Sequence, residues 1–134
     1  MVMGSTTIHE DVFREIARLV LEEVDGIYCY EPKSPLAPLL GEKSIKPVIT
    51  IKWPAPDEEI QEQVSFDIRF AALYGAAIPH MVSTIRREIA DRVKKITGYD
   101  VPSVDVFITK LIRFDKERDM EDDDGVPGDN TQDA

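Results

Sequence analysis

The sequence predicts an α+β fold, a two-layer sandwich in which two helices pack on one face of a mainly antiparallel sheet of three to four strands. Two stretches of helical periodicity lie far apart in the chain. A stretch in which apolar and polar residues strictly alternate lies between them. Helices separated by a strand hairpin favour a helical layer on one side of the sheet. The predicted order is β-α-β-β-α-β, within a domain that spans residues 6–114.

The first helix is predicted just after a short strand at residues 6–9. Apolar residues recur there at every fourth position, with charged residues on the opposite side; they are Val12, Ile16, Val20 and Val24. This spacing predicts an amphipathic helix of about 14 residues. Gly26 is predicted to stop it, because glycine is favoured just past a helix C-terminus.

The segment that follows is short and rich in proline. Residues 27–30 are strand-prone, and three prolines between residues 31 and 41 argue against regular structure there. Its leucines either fold back on the domain or meet a partner. The apolar residues that a core face explains least well are Leu36, Leu39, Leu40 and Trp53.

A hairpin is predicted next, from a strand at residues 48–53 and a second at residues 64–71. In the second strand apolar and polar residues alternate with a period of two, which indicates one buried face. The two strands are close enough in the chain to pair with each other.

The second helix begins near Pro79, since proline is favoured in the first helical turn, and it ends at Gly98. Its predicted buried stripe is Ile78, Val82, Ile85, Ile89, Val93 and Ile96. A last long strand is predicted from Val104 to Phe114. The structural motif that links strand, turn and helix consists of Gly26, Tyr74, Gly75, Ile78, Pro79 and Gly98.

The formal net charge is −10, and most of it lies near the C-terminus. Residues 115–134 hold nine acidic and two basic residues, which predicts an acidic, disordered tail. Nucleic-acid binding by bulk charge is disfavoured, because phosphate contacts need a basic surface. Residues 120–131 fail as a calcium loop, since Met120 and Thr131 stand where carboxylates are required.

No catalytic, metal or cofactor site is predicted. Cys29 is the only cysteine and is expected to be a small buried or half-buried residue, while His80 is expected at the surface or at a helix cap. Two histidines and one cysteine, widely spaced, match no zinc spacing. A lone cysteine fits a reducing compartment, and no signal peptide or spanning segment is recognised, so a cytoplasmic location is expected.

Short blocks of sequence, taken in order, carry a resemblance to a known family. In the first third they are 8–12, 16–17 and 23–27; in the second half they are 74–79, 96–101 and 104–106, with the apolar stripe of the second helix. Over these blocks the chain resembles the bacterial alkaline-shock, or envelope stress response, proteins. The resemblance implies a cytoplasmic, non-enzymatic protein linked to cell-envelope homeostasis and stress. It further implies a scaffold that self-associates and works near the membrane through a membrane-anchored partner.

Two surfaces are the candidates for such contacts: the proline-leucine segment and the basic side of the second helix. Their residues are Leu36, Leu39 and Leu40, with Arg86, Arg87, Arg92, Lys94 and Lys95. The basic side is either a solvated face or a docking surface for an acidic partner, anionic lipid or the acidic tail. The alternative function is a nucleic-acid-binding module that uses Arg86, Arg87, Lys94 and Lys95.

Overall fold

The computed structural model describes residues 2–56 and 62–113. The elements, in chain order, are α1 (Glu10–Glu23), β1 (Ile27–Tyr28), a 3₁₀ turn (Ala37–Leu40), β2 (Val48–Lys52), β3 (Ser65–Leu73), α2 (Ile78–Thr97) and β4 (Val104–Ile112). The predicted α+β class is therefore confirmed. The predicted tail at residues 115–134 and the predicted strand end at Phe114 lie outside the described residues.

Strand β3 is the centre of the sheet, and all other strands pair with it. β1 and β2 lie end to end along one side of β3, both antiparallel to it, with Ile27 opposite Ala72 and Ile51 opposite Phe66. β4 lies along the other side and is parallel to β3. The sheet is mainly antiparallel, as predicted, and β4 is the exception because α2 carries the chain back before β4 begins.

Both helices cover the same face of the sheet. Alternate residues of a strand point to opposite faces, and the residues of β3 that are buried in the core beneath the helices are Phe66, Ile68, Phe70 and Ala72. These side chains form one cluster with residues of α1 and α2, among them Phe13, Val20, Ile85, Ile89 and Val93. Asp67 and Arg69 of β3 point to the opposite face, which the helices leave uncovered.

An aromatic group closes one end of the core. The ring of Phe13 in α1 packs edge-on against Trp53, just after β2, with centroids 5.5 Å apart. It also packs against Tyr99, just after α2, at 5.1 Å. Trp53, which the predicted core faces left unexplained, is therefore held by contacts within this chain.

The strand predicted at residues 6–9 is wrong. The structure has no strand there, and His9 is instead the N-cap of α1. Its Nδ1 accepts a hydrogen bond from the Asp11 backbone N–H at 3.1 Å. A side-chain acceptor satisfies one of the free N–H groups of the first helical turn. His9 therefore stabilises the start of α1 and does not pair with a strand of the sheet.

The buried stripe of α2 is shorter than predicted. Ile85, Ile89 and Val93 are buried as predicted, whereas Ile96 is 64% exposed, so its predicted burial is wrong. Ile78 and Val82 of the predicted stripe are only half-buried, and Met81, which was not predicted to belong to it, is buried. At about 100° per residue, Ile96 lies on the same side of the helix as the stripe. Its exposure therefore means that α2 extends one turn beyond the core.

Candidate interaction surfaces

The proline-leucine segment folds into a defined turn with apolar side chains at its surface. Leu36, Leu39 and Leu40 are 60%, 82% and 73% exposed, while Ala37 beside them is buried. We call these three leucines the leucine tip. Regular structure was not predicted here, yet a 3₁₀ turn forms. Pro38 is compatible with it because it lies at the start of the turn, where a backbone N–H would have no hydrogen-bond acceptor within the turn.

Local hydrogen bonds hold the turn in place. The Ala37 N–H donates to the Ser34 carbonyl and the Glu42 N–H donates to the Ala37 carbonyl, both at 3.0 Å. At the base, Tyr30 and Ile45 exchange two backbone hydrogen bonds of 2.8 and 2.7 Å. The leucine tip is therefore presented on a braced loop.

Most of the basic side of α2 is paired with carboxylates. Arg92 hydrogen-bonds to Glu23 of α1 and to Glu88 of its own helix. Its guanidinium lowers the pKa of the Glu23 carboxyl below the usual value. Lys94 and Lys95 form ion pairs with Asp100 at 3.0 Å and Asp91 at 3.1 Å. These three bases carry little uncompensated charge.

Arg86 and Arg87 differ from the other bases of α2. The Arg86 Nε donates a 3.0 Å hydrogen bond to the backbone carbonyl of Val104, at the start of β4. Arg87 has a carboxylate of Glu88 at 3.8 Å, at the outer limit of an ion pair, and its side chain is largely exposed. Both line an open groove of about 640 Å³ between α2 and the beginning of β4. We call it the α2–β4 groove.

The predicted basic side therefore divides into two parts. Three bases are engaged in ion pairs, and two arginines line the α2–β4 groove, with Ser83 and Pro102 also in its wall. Sequence reasoning missed this groove and the contribution of the β4 backbone. The order of the predicted elements did contain a signal for it. A strand, a helix and another strand in succession indicate a parallel crossover, which places the strand after the second helix beside the strand before it.

The predicted structural motif shapes the corners of the fold. Gly98 ends α2 in the left-handed conformation, with φ of +82°, as predicted. Pro79 lies in the first turn of α2, also as predicted, and Tyr74 precedes Gly75, which has φ of +98°. Gly26 lies two residues beyond the Val24 cap of α1, in a turn that passes close to α2.

Cys29 is exposed, so its predicted burial is wrong. The strand that was to shield it ends at Tyr28, and the chain leaves the sheet there. His80 is exposed on α2, in agreement with its predicted surface position. Among residues 2–56 and 62–113, no group of three or more His, Cys, Asp or Glu side chains is arranged to hold a metal ion.

A comparison of the sequence with models of protein families shows which family the chain belongs to. The model of the alkaline shock protein family, which is described by its cell envelope-related function, matches residues 1–113. The chain belongs to the alkaline shock protein family. This is the family that the sequence blocks resemble, so the predicted relationship is confirmed. Searches of curated proteins and of solved structures returned no significant match to this alkaline shock family protein.

In the described part of the chain, neither helix combines the length and the apolar character that crossing a membrane requires.

Proposed function

We propose that this alkaline shock family protein is a non-catalytic scaffold or adaptor in cell-envelope homeostasis, which acts through protein contacts and through association of its own copies. The cell envelope-related function of the family supports the setting. The partner we expect near the envelope is a membrane-anchored protein. A cytoplasmic location follows from the same proposal.

The observation that carries the proposal is the leucine tip. Three large apolar side chains stand in solvent on a loop that backbone hydrogen bonds hold in one shape. Fully burying one leucine side chain stabilises an interface by about 1.5–3 kcal/mol. A preformed turn also loses little conformational entropy on binding. These properties fit an anchor that inserts into an apolar recess of another protein molecule.

The experiment replaces Leu39 and Leu40 together by serine and measures self-association by sedimentation velocity over a dilution series. We expect the wild-type chain to associate and the double variant to associate at least about tenfold more weakly, since about 1.4 kcal/mol corresponds to a factor of ten. The matched control is Leu19→Ser, at a 41% exposed leucine on α1, which should associate like wild type.

Two results would contradict the proposal. One is a wild-type chain that stays monomeric at every concentration and that binds no protein partner whose binding depends on Leu39 and Leu40. The other is a Leu19→Ser control that weakens association as much as the double variant. Far-UV circular dichroism on all three proteins shows whether each remains folded.

Binding of nucleic acid is not favoured by the same surfaces. The alternative relies on Arg86, Arg87, Lys94 and Lys95, yet both lysines already pair with carboxylates. A phosphate backbone would have to compete with those carboxylates for both lysines. The proposal therefore stays with protein partners.

A further inference from the structure

In the described part of the chain, one edge of strand β4 has no partner strand. The Phe66 N–H donates to the Ser103 carbonyl at 3.1 Å, so the polar groups of residue 103 point toward β3. Successive residues of a strand point their N–H and C=O groups to opposite sides. Val104, Val106 and Ile108 therefore direct theirs away from β3. Within residues 2–56 and 62–113, no strand pairs with that outer edge.

Only the first half of this edge is open to regular pairing. Phe70 lies opposite Ile108, whereas Ala71 lies opposite Lys110, so Thr109 is an extra residue that forms a β-bulge. Bulges and edge lysines interrupt strand addition. The stretch open to regular pairing is consequently 105–108, because the outward carbonyl of Val104 already accepts a hydrogen bond from Arg86.

That stretch begins at the α2–β4 groove. Arg86 reaches from α2 and donates to the outward-pointing carbonyl of Val104, which places the flank of the helix beside the strand edge. Pro79 and Ser83 of α2 line the same groove. A groove between a helix flank and an open strand edge fits an extended peptide, whose backbone extends the sheet while its side chains contact the helix.

The charges of the groove select the kind of peptide. In the described part of the chain, Arg86 bonds to a backbone carbonyl and not to a carboxylate, and Arg87 has only the distant Glu88 carboxylate. The acidic side chain of the groove, Asp105, is neutralised by Lys52 at 3.2 Å. An extended peptide with carboxylates is therefore the complementary ligand.

We propose that the α2–β4 groove holds an extended acidic strand, residues 119–124 of the same chain, added to the open edge of β4. This segment contains Asp119, Glu121, Asp122, Asp123 and Asp124. It lies outside the described residues, and the proposal rests on its charge and its reach. The proposal goes beyond the scaffold function and does not depend on it.

The reach is sufficient. β4 spans nine residues, or about 30 Å, and the segment must return over that distance from its end. The eleven residues from 114 to 124 extend to about 36–40 Å, so the last carboxylates reach Arg86 and Arg87. A tethered segment of this length also has a millimolar effective concentration at the groove. A weak contact is therefore well populated within one chain.

The test uses the full-length, ¹⁵N-labelled chain and NMR. The variant combines Asp122→Asn, Asp123→Asn and Asp124→Asn; the control combines Asp129→Asn and Asp133→Asn, further along the same acidic stretch. We expect the triple variant to shift the amide signals of Arg86, Arg87 and Val104. We also expect hydrogen exchange at Val106 and Ile108 to rise about three- to fivefold. The control should change neither.

Three results would overturn the proposal. The first is a triple variant whose groove signals and exchange rates match wild type. The second is a control variant with equal effects, which would reduce the contact to general charge. The third is a groove signal that changes on tenfold dilution of the wild-type chain, since the occupant would then be a second copy. The substitutions leave every residue of the described core unchanged, so loss of folding does not obscure the outcome.

Discussion

Gly26 lies in the turn between α1 and β1, and it allows this turn to pack closely against α2. Its φ of +100° lies in the left-handed region, which glycine adopts without steric cost. An added Cβ would lie 2.6 Å from Cε of Met81 and 2.9 Å from Cβ of Ala76. Both the backbone angle and the lack of space therefore require glycine here.

We expect Gly26→Ala to lower the free energy of unfolding by about 2–4 kcal/mol, from left-handed strain together with overpacking. The control is Gly41→Ala, whose φ is +84° but whose Cβ would meet nothing within 4 Å. It should lose only about 1–2 kcal/mol, from strain alone. Urea unfolding followed by circular dichroism measures both values. Equal losses would mean that the close approach to Ala76 and Met81 contributes nothing.

At the scale of elements, patterns that depend on local periodicity were predictable from sequence. The length of α1, the alternation in β3, the proline start of α2 and its glycine stop all follow from spacing within one segment. The parallel direction of β4 follows from the crossover through α2, a relation between segments. The predicted strand at residues 6–9 is absent, and His9 instead caps the N-terminus of α1 by accepting a hydrogen bond from the Asp11 backbone N–H.

Periodicity alone does not predict the position at which a helix extends beyond the core. Ile89 and Ile96 both fit the apolar stripe of α2, but only Ile89 is buried. The candidate surfaces have the same limit. The leucines and arginines were predictable as residue types, whereas the braced turn and the groove arise from packing between distant segments.

The same substitution at two positions of α2 measures that difference. We expect Ile89→Ala to cost about 2–5 kcal/mol, through lost burial and the cavity left behind. Ile96→Ala, in the last and exposed turn, should change stability by about 0.5 kcal/mol or less. The measurement is the urea midpoint at constant m-value. A large loss at Ile96 would show that this turn is covered, for instance by another copy of the chain.

At the scale of the whole molecule, the core is one connected cluster. Phe13 contacts both Trp53 and Tyr99, so a single ring joins α1 to the chain just after β2 and just after α2. The other buried residues of both helices, and those of β3 apart from Ala71, belong to the same cluster. One connected core in a chain of this size favours all-or-none unfolding.

We expect the fluorescence of Trp53, the only tryptophan, and the far-UV circular dichroism to report the same urea transition. Trp53 senses the aromatic group at one end of the core, whereas circular dichroism follows both helices. An earlier fluorescence transition would mean that this end opens independently. A shared midpoint and a shared slope would support a single cooperative unit.

The position of β3 has a consequence for synthesis on the ribosome. β1 and β2 are made before β3, but the strand along its other side, β4, is made only after all of α2. During that interval one row of β3 backbone groups is left for water or for a chaperone. The sheet is therefore completed only when the chain has been extended through residue 112, and elongation pauses within α2 would lengthen the period of exposure.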